Sequence, residues 1–187
     1  VGYSDLPAII SGIWAILATN IGPYTKMYPE SDTQILVRRL ISEAYIANLG
    51  MLDLTRMGLR ELPEELHDLS KIVYLNLSHN NLEAYPDAIF NMTHLVYLNL
   101  GHNKLRKLPA EIGNLNRLRF LGLGHNQISA LPPEIGNLTQ LTRLHVDNNL
   151  LTDLPTEIAN LIDLTYINLG YNGLKRSPAE ILLGCSV

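Results

Sequence analysis

The heptapeptide YLNLSHN at residues 74–80 returns as YLNLGHN at 97–103 and as FLGLGHN at 120–126. Each copy opens on an aromatic residue, places two leucines at alternate positions, and closes on His-Asn. Successive copies are 23 residues apart, and the period reaches well beyond these three. Leu49, Ile72, Leu95, Leu118, Leu141 and Leu164 share one register; Leu52, Leu75, Leu98, Leu121, Leu144 and Ile167 share the next. Leu54, Leu77, Leu100, Leu123, Val146 and Leu169 follow two places on, and after them Met57, Asn80, Asn103, Asn126, Asn149 and Asn172. A fixed period of this length means stacked copies of one supersecondary unit.

The alternation explains what each unit does. In Leu-x-Leu the two leucines point to one face of a short strand and the residue between them to the other. One repeat cannot bury its own leucines, so neighbours stack, with their strands side by side in a parallel sheet at about 4.8 Å spacing. The asparagine column stands where each strand ends, and its amide is expected to bond backbone groups that have left the ladder. Pro63, Pro86, Pro109, Pro132, Pro155 and Pro178 are expected to open a short helical segment with φ already set. Glu65, Glu111, Glu134, Glu157 and Glu180 fall two residues later, in a first turn where the helix dipole favours an anion. That glutamate column has a structural reading and needs no catalytic one.

Residues 95–105, LVYLNLGHNKL, fit the pattern L-x-x-L-x-L-x-x-N-x-L at every fixed position. Over residues 49–181 the chain resembles the leucine-rich repeat family. The second half of each repeat, LPAEIGNL at 108–115 and LPPEIGNL at 131–138, is similar to the intracellular repeats of plant Ras-group-related, small-GTPase scaffold and bacterial repeat proteins. This resemblance implies an α/β fold: a right-handed solenoid with a curved parallel sheet on its concave side and short helices on its convex side. Residues 49–187 make six repeats, the last degenerate, because Ser177 replaces the leucine of Leu-Pro and Gly184 falls where Leu115, Leu138 and Leu161 stand earlier. Residues 1–48 lack the repeat and read as an N-terminal helical cap. Ser4, Asp5 and Pro7 mark one helix start, residues 20–30 a loop, and Ser31 the cap of a second helix to about Asn48. Ile35, Leu36, Leu40, Ile41 and Ala44 line one side of that second helix. Met57 in place of asparagine suits a first repeat bordering a cap. The start at Val1 and the fraying after Ser177 read as those of a fragment or a processed form.

Composition narrows the function. With 187 residues, 47% hydrophobic and 17% charged, the chain has the makings of a substantial core and is no disordered segment. A formal charge of −4 argues against a dedicated nucleic-acid binder, which needs a coherent basic face. Cys185 is the single cysteine, so a disulfide framework within the chain and a multi-cysteine zinc site are excluded, and a reducing, cytoplasmic compartment is expected. The apolar run at residues 6–19 is shorter than a membrane span of about 20 residues and has no basic residues before it. Sequons at Asn91-Met92-Thr93 and Asn137-Leu138-Thr139 would matter only in a secreted protein.

The outward-facing columns carry the candidate site. Just before the second core leucine stand Met51, Tyr74, Tyr97, Phe120, Arg143 and Tyr166. Between the paired leucines stand Asp53, Asn76, Asn99, Gly122, His145 and Asn168. His79, His102 and His125 form a further column. A straight line of imidazoles without carboxylate or thiolate beside it is a poor first shell for zinc, so no metal and no cofactor are expected. Asp147 and His145 share the face and are placed to pair, but no nucleophile, base and orienting group come together, and no enzyme activity is expected. Arg119, Arg143, His145 and Asp147 break the repeat's regularity and so are better candidates for selectivity. With Tyr74, Tyr97, Phe120 and Tyr166 they form the expected binding face of a non-catalytic protein-interaction module. The family resemblance points to another protein as partner, such as a small GTPase or a regulatory enzyme. A structural subunit of an assembly and a targeting domain for a catalytic part outside this chain are the alternatives.

Overall fold

The computed structural model describes residues 30–69 and 71–175. The proposed first helix, residues 20–29 of the loop expected over 20–30, and the frayed end beyond Lys175 lie outside these residues, while Glu30 and the expected cap Ser31 already belong to a helix. Two compact units divide the chain at Leu36 and Val37. Of the first, only the opening of helix α1 (Glu30–Ile46) is described.

Among the described residues, six three-residue strands form one parallel sheet in chain order: β1 (Met51–Asp53), β2 (Tyr74–Asn76), β3 (Tyr97–Asn99), β4 (Phe120–Gly122), β5 (Arg143–His145) and β6 (Tyr166–Asn168). The register equals the sequence period: Leu75 pairs with Leu98, Leu98 with Leu121, and Leu121 with Leu144. Equivalent positions therefore meet on adjacent strands, and every column of the sequence becomes a line across the sheet.

Behind the sheet, the described residues return through five single 3₁₀ turns: Glu64–Asp68, Asp87–Asn91, Ala110–Asn114, Pro133–Asn137 and Thr156–Asn160. Each follows its proline, but that proline is the capping residue rather than the first helical one. Its φ lies between −65° and −76° while its ψ stays extended, at 127–158°. The fixed φ serves the entry, and the proline carbonyl accepts the first bond of the turn, as from Leu66 and Ile112. Glu111, Glu134 and Glu157 do lie in the first turn. One turn sums few peptide dipoles, however, so the electrostatic gain is smaller than a longer helix would give.

The core fills the space between sheet and turns. Leu75, Leu77, Leu98, Leu100, Leu121 and Leu123 are completely buried, and Leu66, Ile89, Ile112 and Ile135 close the core from the helical side. Each such side chain contributes about 1.5–3 kcal/mol by leaving water. From α1, Val37, Ile41 and Ala44 join the same cluster, with Leu40 partly buried beside it. Ile35, expected on the inner side, is 66% exposed, and Val37 is the apolar contact the sequence reading missed. Asn48, at φ 50°, ends the helix in a left-handed turn, and the Leu49 N–H bonds back to the Ala44 carbonyl.

The asparagine column is the second source of cohesion. Asn126 Nδ2 donates to the carbonyls of Leu100, Leu123 and Gly124 at 3.0, 3.0 and 3.3 Å, and its Oδ1 accepts from the Leu105 N–H at 3.0 Å. Asn80, Asn103, Asn149 and Asn172 repeat this pattern. Every asparagine thus ties its own turn to the repeat before it. Met57 stands in the first repeat, which has no preceding repeat to tie.

Candidate interaction surface on the sheet face

Strand alternation sends residues 74, 76 and 78, and their counterparts, to the face opposite the core. Parallel pairing without stagger then lays each aromatic directly beside the next. Tyr74 and Tyr97 stack with ring centroids 4.2 Å apart, and Tyr97 and Phe120 at 4.3 Å. Contact with neighbours leaves these rings half-buried. Burial pushes the Tyr74 and Tyr97 hydroxyls above the ordinary phenol range, so both stay protonated and can donate or accept hydrogen bonds.

The ladder changes character at β5. Arg143 occupies the aromatic column there, in register between Phe120 and Tyr166. His145, one column along, fills the space between those two rings instead, tilted against Phe120 at 5.2 Å and against Tyr166 at 5.1 Å. Five rings therefore run from β2 to β6, and Arg143, in register between Phe120 and Tyr166, is exposed. Arg119 precedes β4 and is exposed, and its carbonyl accepts the Arg143 N–H at 3.0 Å.

His79, His102 and His125 form a second stack, with centroids 4.0 Å apart at both steps. They share a left-handed backbone, φ 55–57°, with Arg56, Asn148 and Tyr171 in the same column at φ 51–58°. Asparagine and histidine tolerate this conformation better than most residues. Burial first, and then neighbouring positive groups (Arg56 and His125 for His79, His125 and His79 for His102), hold both pKa values below the ordinary 6.5. Asp147 does not pair with His145 as expected. Its carboxylate accepts from Asn148 Nδ2 at 2.9 Å and lies 3.7 Å from His125 Nε2. The left-handed turn swings residue 125 back toward the next repeat, whereas His145, on the strand itself, points straight out among the rings.

Three features of the face escaped sequence reading. Asp53, Asn76, Asn99 and Asn168 each accept, through Oδ1, the backbone N–H two residues on, at 2.9–3.3 Å, which fixes the chain as it leaves the strand. Gly122 on β4 and Gly124 just beyond it clear a lane: a Cβ on them would lie 2.6 Å from Asn99 Oδ1 and 2.8 Å from Asp147 Oδ1. Side chains from both neighbouring strands therefore lean over β4. Paired glycines at alternate strand positions were the available signal. Finally, Asn148 links Asp147 to the histidine stack, at 3.3 Å from His125 Nε2.

Among the described residues no group of three His, Cys, Asp or Glu is placed to hold a metal ion, and no helix is long and apolar enough to cross a membrane. The face offers rings, amides, the exposed side chains of Arg56, Arg119 and Arg143, and two carboxylates that accept hydrogen bonds from their own chain, which suits recognition.

Comparison with known proteins agrees with this architecture. The leucine-rich repeat region model matches residues 87–181, and a single leucine-rich repeat model matches 71–92. A leucine-rich repeat protein of Leptospira interrogans superposes with a TM-score of 0.64 at 31% identity, over 75% of this chain and 43% of that one. The ectodomain of the plant membrane receptor kinase GASSHO1/SCHENGEN3 from Arabidopsis thaliana was solved in complex with CASPARIAN STRIP INTEGRITY FACTOR 2. It gives 0.62 at 34% identity over 68% of this chain and 16% of that one. The ectodomain of the receptor kinase SOBIR1, also from Arabidopsis thaliana, gives 0.57 at 29% identity, over 66% and 70%. This chain thus spans less than half of the first two. A comparison with curated proteins returns no match. The 23-residue register, the asparagine ties and a family model covering more than half of the chain converge: it belongs to the leucine-rich repeat family.

Proposed function

We infer that the chain is a non-catalytic protein-interaction module whose partner docks on the sheet face, through Tyr74, Tyr97, Phe120, Arg119, Arg143, His145, Asp147 and Tyr166. The observation that carries this reading is the run of five rings, with Arg143 exposed and in register between Phe120 and Tyr166. Rigid aromatics lose little freedom on binding, and tyrosine and arginine are enriched among the residues that dominate interface energetics. A solved neighbour in complex with a named factor supports a protein partner. Val37, Ile41 and Ala44, buried in the cluster that holds Leu52 and Leu54, support residues 37–48 as part of a cap on this module. The lone Cys185 supports a cytoplasmic setting, and the LPxxI form of the repeats a small GTPase or regulatory enzyme as partner.

Affinity capture with the wild-type chain and with Phe120→Ala/Arg143→Ala, followed by mass spectrometry, tests the assignment. A partner held by the wild type and lost by the variant is the expected result. Equal retention by both would move the docking surface off the sheet face. A second reading, as a subunit packed within a larger assembly, draws support from Leu150 and Ile162, 60% and 82% exposed. Light scattering on the purified chain decides it, since a monomer at micromolar concentration removes that reading.

A further inference from the structure

Five asparagines form the side-chain ladder, and each is followed by a different residue: Asn81, Lys104, Gln127, Leu150 and Gly173. The last rung is therefore Asn172-Gly173, the single Asn-Gly pair in the sequence. A backbone nitrogen can attack the side-chain amide carbon of the asparagine before it. Glycine, with no side chain and the widest choice of φ, obstructs that approach least. The surroundings of this rung differ too. Asn80, Asn103, Asn126 and Asn149 are buried, whereas Asn172 is half-buried and Gly173 exposed.

The folded chain restrains both reacting groups. Asn172 Nδ2 donates to the carbonyls of Val146, Leu169 and Gly170 at 2.9, 3.0 and 3.3 Å, and its Oδ1 accepts from the Leu151 N–H at 3.0 Å. The Gly173 N–H donates to the Leu151 carbonyl at 2.9 Å. With amide and nucleophile both held, reaction requires the rung to open. This rung is also the least supported. Among the described residues the Leu169 carbonyl has no donor besides Asn172, whereas the Leu123 carbonyl is shared by Asn126 and Asn149.

We propose that Asn172 is a site of spontaneous covalent modification, deamidation through a cyclic imide formed with Gly173, and that opening of the sixth repeat gates it. The Gly173 nitrogen, its proton taken by base, bonds to Asn172 Cγ; the Cγ–Nδ2 bond breaks and ammonia leaves. Water then adds to either carbonyl of the ring, giving aspartate or isoaspartate. Water is consumed, ammonia is released, and nothing is oxidised. The product does not fit the same place. Aspartate lacks the Nδ2 donor and turns a carboxylate toward three carbonyl oxygens, and isoaspartate also adds a carbon to the main chain. Once the side chain swings away, the Leu151 N–H loses its acceptor. Modification therefore holds open the repeat whose opening allowed it. Strand β6 keeps its backbone pairing with β5 but loses this side-chain tie to the fifth repeat.

Incubation of the full chain at mildly alkaline pH, with peptide mapping by mass spectrometry, tests this. Conversion of amide to acid should appear at Asn172 ahead of Asn80, Asn103, Asn126 and Asn149, and a protein isoaspartyl methyltransferase should label the same peptide. Concentrated urea should raise the rate at Asn172 several-fold, since the reaction follows the open population. Gly173→Ala would place its Cβ 3.5 Å from the Leu151 carbonyl oxygen, an ordinary contact, so it should fold normally and convert several-fold more slowly in urea. In Asn172→Asp, hydrogen exchange should show lost protection at the Leu151 and Gly173 amides, while those of Leu82 and Leu105, tied to Asn103 and Asn126, keep theirs. No conversion at Asn172 in the folded chain, or conversion no faster than at Asn149, would overturn the site. Equal rates with and without urea would overturn the gating, and an unchanged exchange pattern in Asn172→Asp the structural consequence.

Discussion

Asn126→Ala measures how much of the stack depends on its side-chain ladder. The substitution removes three donated bonds and one accepted bond, but the groups left behind do not suffer equally. Each carbonyl that Asn126 serves has a second donor: Leu100 from Asn103 Nδ2 at 3.0 Å, Leu123 from Asn149 Nδ2 at 2.9 Å, and Gly124 from the His102 N–H at 2.8 Å. Among the described residues the Leu105 N–H has only Asn126. One orphaned, buried donor costs about 1–3 kcal/mol, and the lost carbonyl bonds add a smaller sum, for a total of about 3 kcal/mol. For a chain of this size that lowers Tm by about 6–12 °C. Asn80→Ala should cost more, since among the described residues the Leu54 carbonyl has no second donor beside Asn80. Asn126→Asp should also cost more than alanine, because it aims a carboxylate at three carbonyl oxygens. Urea titration followed by far-UV circular dichroism gives all three values. A loss below about 1 kcal/mol for Asn126→Ala, or an aspartate no worse than alanine, would refute this assignment of the ladder's strength.

Gly136→Ala places a Cβ 2.6 Å from the Glu157 carbonyl oxygen, a backbone atom that cannot rotate away, and should destabilise by about 1–3 kcal/mol. Gly122→Ala meets a side-chain end at the same distance, Asn99 Oδ1, and should cost clearly less in the same thermal melt. Acid should weaken the fold through the histidine stack. With the folded-state pKa of His79 and His102 below 6.5, the unfolded chain binds more protons near that pH. Their stabilising contribution is therefore present above pH 6.5 and lost as pH falls through the lowered values. Tm at pH 7.5 and at pH 5 measures the slope, and His79→Asn/His102→Asn should flatten it, asparagine being at home at φ 51° in Asn148. Tyr97→Ala removes the middle ring, hence both stacking contacts at 4.2 and 4.3 Å, and should cost about 1–3 kcal/mol in urea titration.

The period of 23 was enough to say which residues are core, which end a strand, and which face outward. It works because an unstaggered parallel stack turns sequence position into spatial column, so Leu75 meets Leu98 and Tyr74 meets Tyr97 without further information. Where the repeat is perfect, sequence and structure carry the same content. What lay beyond it depended on side-chain directions and on competition among neighbours. His125 and His145 look alike in the chain, yet a left-handed φ of 55° turns the first toward Asp147, while the second fills the ring gap that Arg143 opens. In α1 the period is absent, and an apolar stripe alone did not tell Ile35, 66% exposed, from Val37 in the core. The repeating residues by themselves determined the scaffold, because stacking leaves their geometry no alternative. Only the tertiary structure decided which groups on its face pair with one another, since that follows from which neighbour each amide and carboxylate can reach.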